Sequence, residues 1–278
     1  MSGRALAILC GGGALPLIAA RAARASGREV LLVGLSGSAG PEIETFDHIW
    51  VKLGEFGRLT KVLREHEVGE LAMLGGVSRP EFSDIRFDLG ALRRIADIAK
   101  LFRGGDDGLL KGVARIFESE GFRFVGIGDF APELLAPAGR IAGPKPDSEA
   151  ETDIAFGARL IAALSPFDVG QGAVVARERV LAVEAAEGTD EMLKRVATLR
   201  AGGRLRFKGR AGIFVKAAKR GQDRRFDLPT VGVATIEAAV RAELAGLALA
   251  AGETLIVDRE AFAAAADRAG LFVVGFAA

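Results

Sequence analysis

The chain of 278 residues has a single cysteine, Cys10, so no disulfide can form within it. A disulfide-free chain suits a reducing cytosol, and Cys10, set in an apolar run, reads as a small buried hydrophobe. An excess of one charge is missing too. Lys and Arg number 37 against 36 Asp and Glu, a formal net charge of +1, whereas general nucleic-acid binding rests on a strong basic excess. No apolar run approaches the roughly 20 residues that a membrane span needs. The first residues lack the basic segment, apolar stretch and cleavage site of a signal peptide. There are two histidines, His48 and His66, too far apart for metal-ligand spacing. No zinc pattern and no Ser-His-Asp or Cys-His set can be assembled.

What is present is apolar material. Half of the residues are apolar, enough for sizeable cores, and the length suits two domains. Residues 4–10 form an apolar run, three glycines follow, residues 15–25 have helical spacing, Gly27 stops them, and residues 29–34 are apolar again. That is a β–α–β unit. Residues 49–53, 70–75 and 123–127 predict further strands, and residues 55–66, 89–102 and 107–120 predict helices. Such alternation predicts an α/β fold, with a Rossmann-like parallel sheet covered on both faces over residues 1–136. Residues 137–147, which carry Pro137, Pro144 and Pro146, are expected to be a linker. Residues 148–278 predict a second α/β domain with a mixed sheet. Its expected helices are 148–164, 189–199, 235–245 and 259–269. Its expected strands are a hairpin at 173–176 and 179–184, then 212–216, 254–257 and 271–275.

Two glycine-rich turns follow predicted strands. Gly11-Gly12-Gly13-Ala14-Leu15 lies between the first strand and first helix, where glycines let a backbone approach a phosphate at a helix N-terminus. The dinucleotide fingerprint wants Gly where Pro16 stands, the second strand ends without an acid, and the Walker Lys-Ser/Thr pair is absent. Nucleotide or phosphate contact stays open beside a purely structural turn. Gly75-Gly76-Val77-Ser78-Arg79 ends another predicted strand, the usual ligand side of an open α/β sheet, and Arg79 suits a phosphate. A third segment, Gly104-Gly105-Asp106-Asp107, offers carboxylates that suit Mg²⁺ or simply cap a helix.

The second half carries the chemistry-bearing residue types. Asp168-Val169-Gly170-Gln171-Gly172 leads into the hairpin, and Glu184, Glu187, Gly188, Thr189 and Asp190 cluster where the next helix begins. A capping turn needs one of them, not four polar groups in seven positions. Between Arg200 and Arg225 there are ten Lys or Arg residues and one acid, Asp223, a local asymmetry in a neutral chain. The segment 216–227 closes it. Lys216 and Lys219 follow a predicted strand, and Arg224 precedes Asp227, which stands just before Leu228-Pro229, where proline holds the preceding backbone extended. An acid on stiff backbone among cations suits phosphate chemistry: the cations bind the anion, and the acid holds a metal or water.

These motifs resemble a known family over nearly the whole chain. GGGALP, GEFG, GGVSRP, GDDGLL, DVGQGAVV, VLAVEAAEGTD, the K-x-x-K-x-x-Q-D-x-R-x-D-L-P-T-V-G segment and GLFVVGF stand in the order seen in the UDP-2,3-diacylglucosamine pyrophosphatases of the lipid A pathway, the alphaproteobacterial two-domain type. One departure is Gly76, where some relatives carry Asn. The resemblance implies hydrolysis of UDP-2,3-diacylglucosamine to UMP and 2,3-diacylglucosamine 1-phosphate (lipid X), with a divalent metal, usually Mg²⁺. It implies that Asp227, in the D-L-P-T motif, is the essential aspartate. Lys216, Lys219 and Arg224 are then expected at the phosphates. The expected substrate contacts are Gly11, Gly12, Gly13, Ala14, Leu15, Gly76, Val77, Arg79, Gln171, Glu187, Gly188, Thr189, Gln222 and Thr230. The expected metal ligands are Asp227, Asp190, Glu187 and Asp107. A diacylated substrate implies a cytoplasmic protein working at the inner membrane surface, with no nucleic-acid partner, and leaves a homo-oligomer open. The rival readings are a non-catalytic binder of a nucleotide-sugar or lipid and a dinucleotide-dependent oxidoreductase.

Overall fold

The computed structural model describes residues 5–77, 85, 88–92 and 106–277, which fall into two compact units, Met1–Ala131 and Pro132–Ala278.

The first unit is built on five parallel strands, β1 (Ala5–Cys10), β2 (Val30–Leu35), β3 (His48–Val51), β4 (Val68–Leu74) and β5 (Arg123–Phe124), in the order β3-β2-β1-β4-β5. The runs ALAILC and VLLVGL are almost wholly buried, as parallel strands covered on both faces must be. Helices α1 (Leu15–Ala25), α2 (Phe56–Glu65) and α3 (Asp106–Glu118) connect them. Helix α1 stops at Gly27, in the left-handed region at φ +84°, a conformation that glycine takes without strain. The helix expected over 89–102 is seen as a turn at Leu89–Leu92; residues 93–102 lie outside the described residues. The strand expected over 123–127 ends at Phe124, because Asp129 accepts the Gly126 N–H at 2.8 Å and opens a helical turn at Ile127–Phe130.

The second unit has a mixed six-stranded sheet. Its strands are β6 (Gly139–Ala142), β7 (Gly172–Ala176), β8 (Arg179–Val183), β9 (Ile213–Lys216), β11 (Gly246–Ala250) and β13 (Phe272–Phe276), ordered β6-β13-β11-β9-β7-β8. The three central strands β9, β11 and β13 are parallel, and the flanking strands run antiparallel to their neighbours. A separate parallel pair joins β10 (Thr230–Val231) to β12 (Leu255–Ile256). The period-2 alternation of side chains sorts the core into two layers. Val215, Ala248 and Phe272 pack under α4 (Ser148–Leu164) with Ile154 and Ile161. Phe214, Leu247, Leu249 and Val273 face the other way, among residues of α5 (Gly188–Ala201), α6 (Val233–Arg241) and α7 (Arg259–Ala269).

Three elements depart from expectation. Strand β11, in the middle of the sheet, has no counterpart among the expected strands: Gly-Leu-Ala-Leu-Ala has low strand propensity and continues an alanine-rich helical stretch. Strand β6 lies inside the stretch expected as a linker, on the open edge of β13. The strand expected over 254–257 is the short β12, paired with β10 instead of the main sheet.

Candidate active site at the carboxyl end of β9

In the first unit the two glycine turns meet. Gly11 donates to the Leu74 carbonyl at 2.8 Å, Gly12 donates to Gly76 at 2.7 Å, and Gly76 donates back to Gly12 at 3.0 Å. The approach is too close for side chains. A Cβ on Gly11 would lie 2.5 Å from the Gly76 carbonyl oxygen, and one on Gly75, whose φ is +90°, 2.6 Å from that of Gly12. Gly13, Ala14, Gly76 and Val77 are exposed beside this junction, and Leu15 begins α1. Cys10, next to it, is fully buried, and burial pushes its thiol up to about 12, which leaves no thiolate for chemistry. Arg79 lies outside the described residues, and of Asp107 only the backbone, in α3, is described.

The second unit concentrates side chains at the carboxyl end of β9. Lys216, the last residue of that strand, is 3% exposed. Its Nζ donates to Glu184 Oε2 at 2.9 Å and Oε1 at 3.2 Å, and to the Thr189 hydroxyl at 2.6 Å; that hydroxyl donates in turn to Glu184 Oε1 at 3.1 Å. An ammonium has three protons to donate, and these contacts take them up. Lys216 and Thr189, expected at the substrate, here belong to a frame that ties the end of β9 to the end of β8 and the start of α5. Glu184, the acid that interrupts the apolar strand pattern, is the third member. Glycines make room for it, since a Cβ on Gly172 would meet Glu184 Oε2 at 2.5 Å.

Asp227 is exposed, and two carboxamides meet on its Oδ2: Gln171 Nε2 donates at 3.1 Å, and Gln222 Nε2 donates as well. Lys219, mostly buried along its stem, ion-pairs with the exposed Asp168. Arg224 pairs with Glu253 at 2.6 Å. Arg225 clasps Asp223 with two guanidinium nitrogens at 3.0 and 2.8 Å, which shapes the loop, and Ser165 Oγ accepts the Arg220 N–H at 2.9 Å. A cavity of about 410 Å³ opens beside these groups, lined by Asp168, Val169, Gly170, Gln171, Glu184, Ala185, Ala186 and Lys219.

Of the expected metal ligands in the second unit, Glu187 and Asp190 do not join Asp227 in a cluster among the described residues. Glu187 is drawn to Arg195 at 2.9 Å, Asp190 is exposed in the first turn of α5, and Glu184 is held by Lys216. Among the described residues no three His, Cys, Asp or Glu side chains are placed to hold an ion. Gly188, at φ +78°, opens α5, and Thr230 turns its hydroxyl to the Leu228 carbonyl at 3.1 Å. The sequence names Asp168 only as part of its motif and gives Glu253 no role; neither is legible as the partner of Lys219 or Arg224. Their partners lie 51 and 29 residues away, beyond the reach of local spacing.

Comparison with known proteins agrees along the whole chain. The family described as LpxI N-terminal domain matches residues 5–134, and that described as LpxI C-terminal domain matches residues 137–274. The UDP-2,3-diacylglucosamine pyrophosphatase LpxI of Caulobacter vibrioides is 43% identical over 272 residues, covering 98% of this chain and 97% of that protein. With both halves matched and near-complete coverage, the chain belongs to the LpxI family.

Proposed function

We propose that the chain hydrolyses the pyrophosphate bond of UDP-2,3-diacylglucosamine, releasing UMP and 2,3-diacylglucosamine 1-phosphate (lipid X) for lipid A biosynthesis. Membership in a pyrophosphatase family supports the reaction. The observation that carries the site is one exposed carboxylate, Asp227, held by two neutral amides beside a cavity, with Lys219 and Arg224 in the same loop. Phosphoryl transfer asks a protein mainly to position groups and to stabilise charge. Lys219 and Arg224 would exchange Asp168 and Glu253 for phosphate oxygens and neutralise the charge that develops there. Asp227 would orient the attacking water.

A divalent ion fits this arrangement only in a limited way. Mg²⁺ in phosphate sites is held by one or two carboxylates plus substrate oxygens and water. Asp227 can supply one, since both amides use Oδ2 and Oδ1 has no hydrogen-bond partner among the described residues. When bound, such an ion supplies charge neutralisation and orientation of the phosphates. No helix among the described residues is long and apolar enough to cross a membrane; a diacylated substrate would bring the protein to the cytoplasmic face of the inner membrane.

The test is time-dependent UMP release from UDP-2,3-diacylglucosamine. Turnover that stops with EDTA and returns with Mg²⁺ supports metal-assisted hydrolysis. Saturable binding of the nucleotide lipid with no UMP released would make the protein a binder and not an enzyme.

A further inference from the structure

Gln171 and Gln222 read, from sequence, as substrate contacts; the geometry points to a different task. A carboxylate only accepts hydrogen bonds, so each amide that meets Asp227 must present its Nε2. For Gln222 this orientation is fixed a second time. Its Oε1 accepts the backbone N–H of Lys219 at 3.0 Å, and a backbone N–H only donates, so the amide cannot flip without losing both bonds. Gln171 is anchored through its main chain, where its carbonyl accepts the Ala217 N–H at 2.9 Å. Both amides are therefore tied to the three residues that follow β9, one through its side chain and one through its backbone, and they converge on a single oxygen, Oδ2.

We infer that Gln171 and Gln222 form an amide clamp that fixes the rotamer of Asp227 and leaves Oδ1 as the only oxygen presented for the reaction. They are positioning residues acting through Asp227. An exposed aspartate with free χ angles samples several staggered wells; donors on one oxygen select one of them. Uncharged clamps suit the task, because a Lys or Arg in their place would itself compete for the substrate phosphates. The inference rests on the reading of Asp227 as the reacting carboxylate.

Kinetics and binding separate the clamp from a direct substrate contact. Gln171→Ala and Gln222→Ala should each lower kcat about 10- to 100-fold, the range set by misplacing a catalytic group, with KM changed less than about threefold. Gln222→Glu is the sharper variant. It keeps the size and still accepts from Lys219, but it cannot donate to Asp227 and repels it, so kcat should fall at least as far as in the alanine variant. Wild-type kcat in Gln222→Glu would overturn the clamp. The second arm uses calorimetric binding of UDP-2,3-diacylglucosamine to an inactive Asp227→Ala protein. Adding Gln171→Ala or Gln222→Ala to that background should leave Kd unchanged, since the residue they act through is gone. A Kd weakened about tenfold or more there would make the glutamines substrate contacts and overturn the proposal. If Asp227→Ala alone keeps full turnover, the assignment of Asp227 fails instead, and the two failures are told apart.

Discussion

At the carboxyl ends of β1 and β4 the first unit brings two glycine turns together main chain to main chain; at the carboxyl end of β9 the second brings together lysines, carboxylates and amides. Both lie at the carboxyl ends of parallel strands, the side where α/β proteins bind ligands. In the first unit the contact is closed by sterics: Gly11 and Gly75 stand where any Cβ would collide with a carbonyl. In the second it is closed by charge, and the charges are of two kinds. Lys216 and Glu184 are buried against each other, while Asp227 stays exposed and Lys219 and Arg224 pair with Asp168 and Glu253. The difference teaches that density of charged residues does not by itself mark the reacting groups. On the function proposed above, Lys216 frames the site and Lys219, three residues later and paired with an exposed carboxylate, serves it.

The largest effect should follow from removing the exposed acid. Asp227→Ala is expected to lower UMP release about 10³-fold, the scale of losing one electrostatic group from an active site. The melting temperature should stay unchanged, because the side chain is exposed and its partners are neutral. Next comes the buried pair. Lys216→Met leaves the Glu184 carboxylate without its counter-ion, a change of the kind that costs about 3–5 kcal/mol, read by chemical denaturation. Replacing both, Lys216→Met with Glu184→Gln, should recover part of that loss. Lys219→Met, at the rim, should move stability by no more than about 1 kcal/mol while lowering turnover. Equal losses of stability at the two lysines would erase the distinction between frame and reacting group.

The glycine junction gives a smaller effect with a built-in control. Gly75→Ala forces a left-handed backbone and a clash with a main-chain oxygen, and should cost about 1–3 kcal/mol. Gly76→Ala, where an added Cβ meets nothing within 4 Å, should stay within about 0.5 kcal/mol. The two are adjacent and chemically identical substitutions, so equal effects would show that neither the positive φ nor the close contact at Gly75 matters to this turn.

How much of this the sequence disclosed depends on the range of the interactions. The β1–α1–β2 unit is legible because buried parallel strands leave unbroken apolar runs and Gly27 ends the helix between them. Helix α4 is legible because Asp147 caps it, accepting from Ala150 N at 2.8 Å, with Glu149 and Glu151 in the first turn. Strand β11 is not: its alanines become a strand only because β9 and β13 lie on either side. The site divides the same way. The charge asymmetry and Pro229 single out the segment 216–227. That Gln171 meets Asp227 across 56 residues, and Glu184 meets Lys216 across 32, is a consequence of the fold with no local signal.

The smallest expected effect returns to the first unit, whose charges serve stability. Glu70 on β4 is partly buried, which by itself raises a carboxyl pKa, but Arg28 and Arg123 both bond to it and outweigh burial, so it lies below the usual carboxylate range. Asp88 behaves alike: burial raises it, while the backbone N–H groups of Ala91, Arg58 and Gly57 at 2.8, 2.9 and 3.1 Å lower it further. A carboxyl held lower in the folded state than in the unfolded chain stabilises above the unfolded value, about 4.3 for Glu and 3.9 for Asp. That stability drains as pH falls through the folded value. Glu70→Gln removes one of these carboxyls. Wild type should therefore exceed the variant by about 1 kcal/mol at neutral pH, and the gap should begin to close near pH 4.3 and shrink further below it. Thermal melts of both proteins from neutral to acid pH measure the gap directly; one that stays constant throughout would mean that the Arg28–Glu70–Arg123 contacts do not depend on the charge of Glu70.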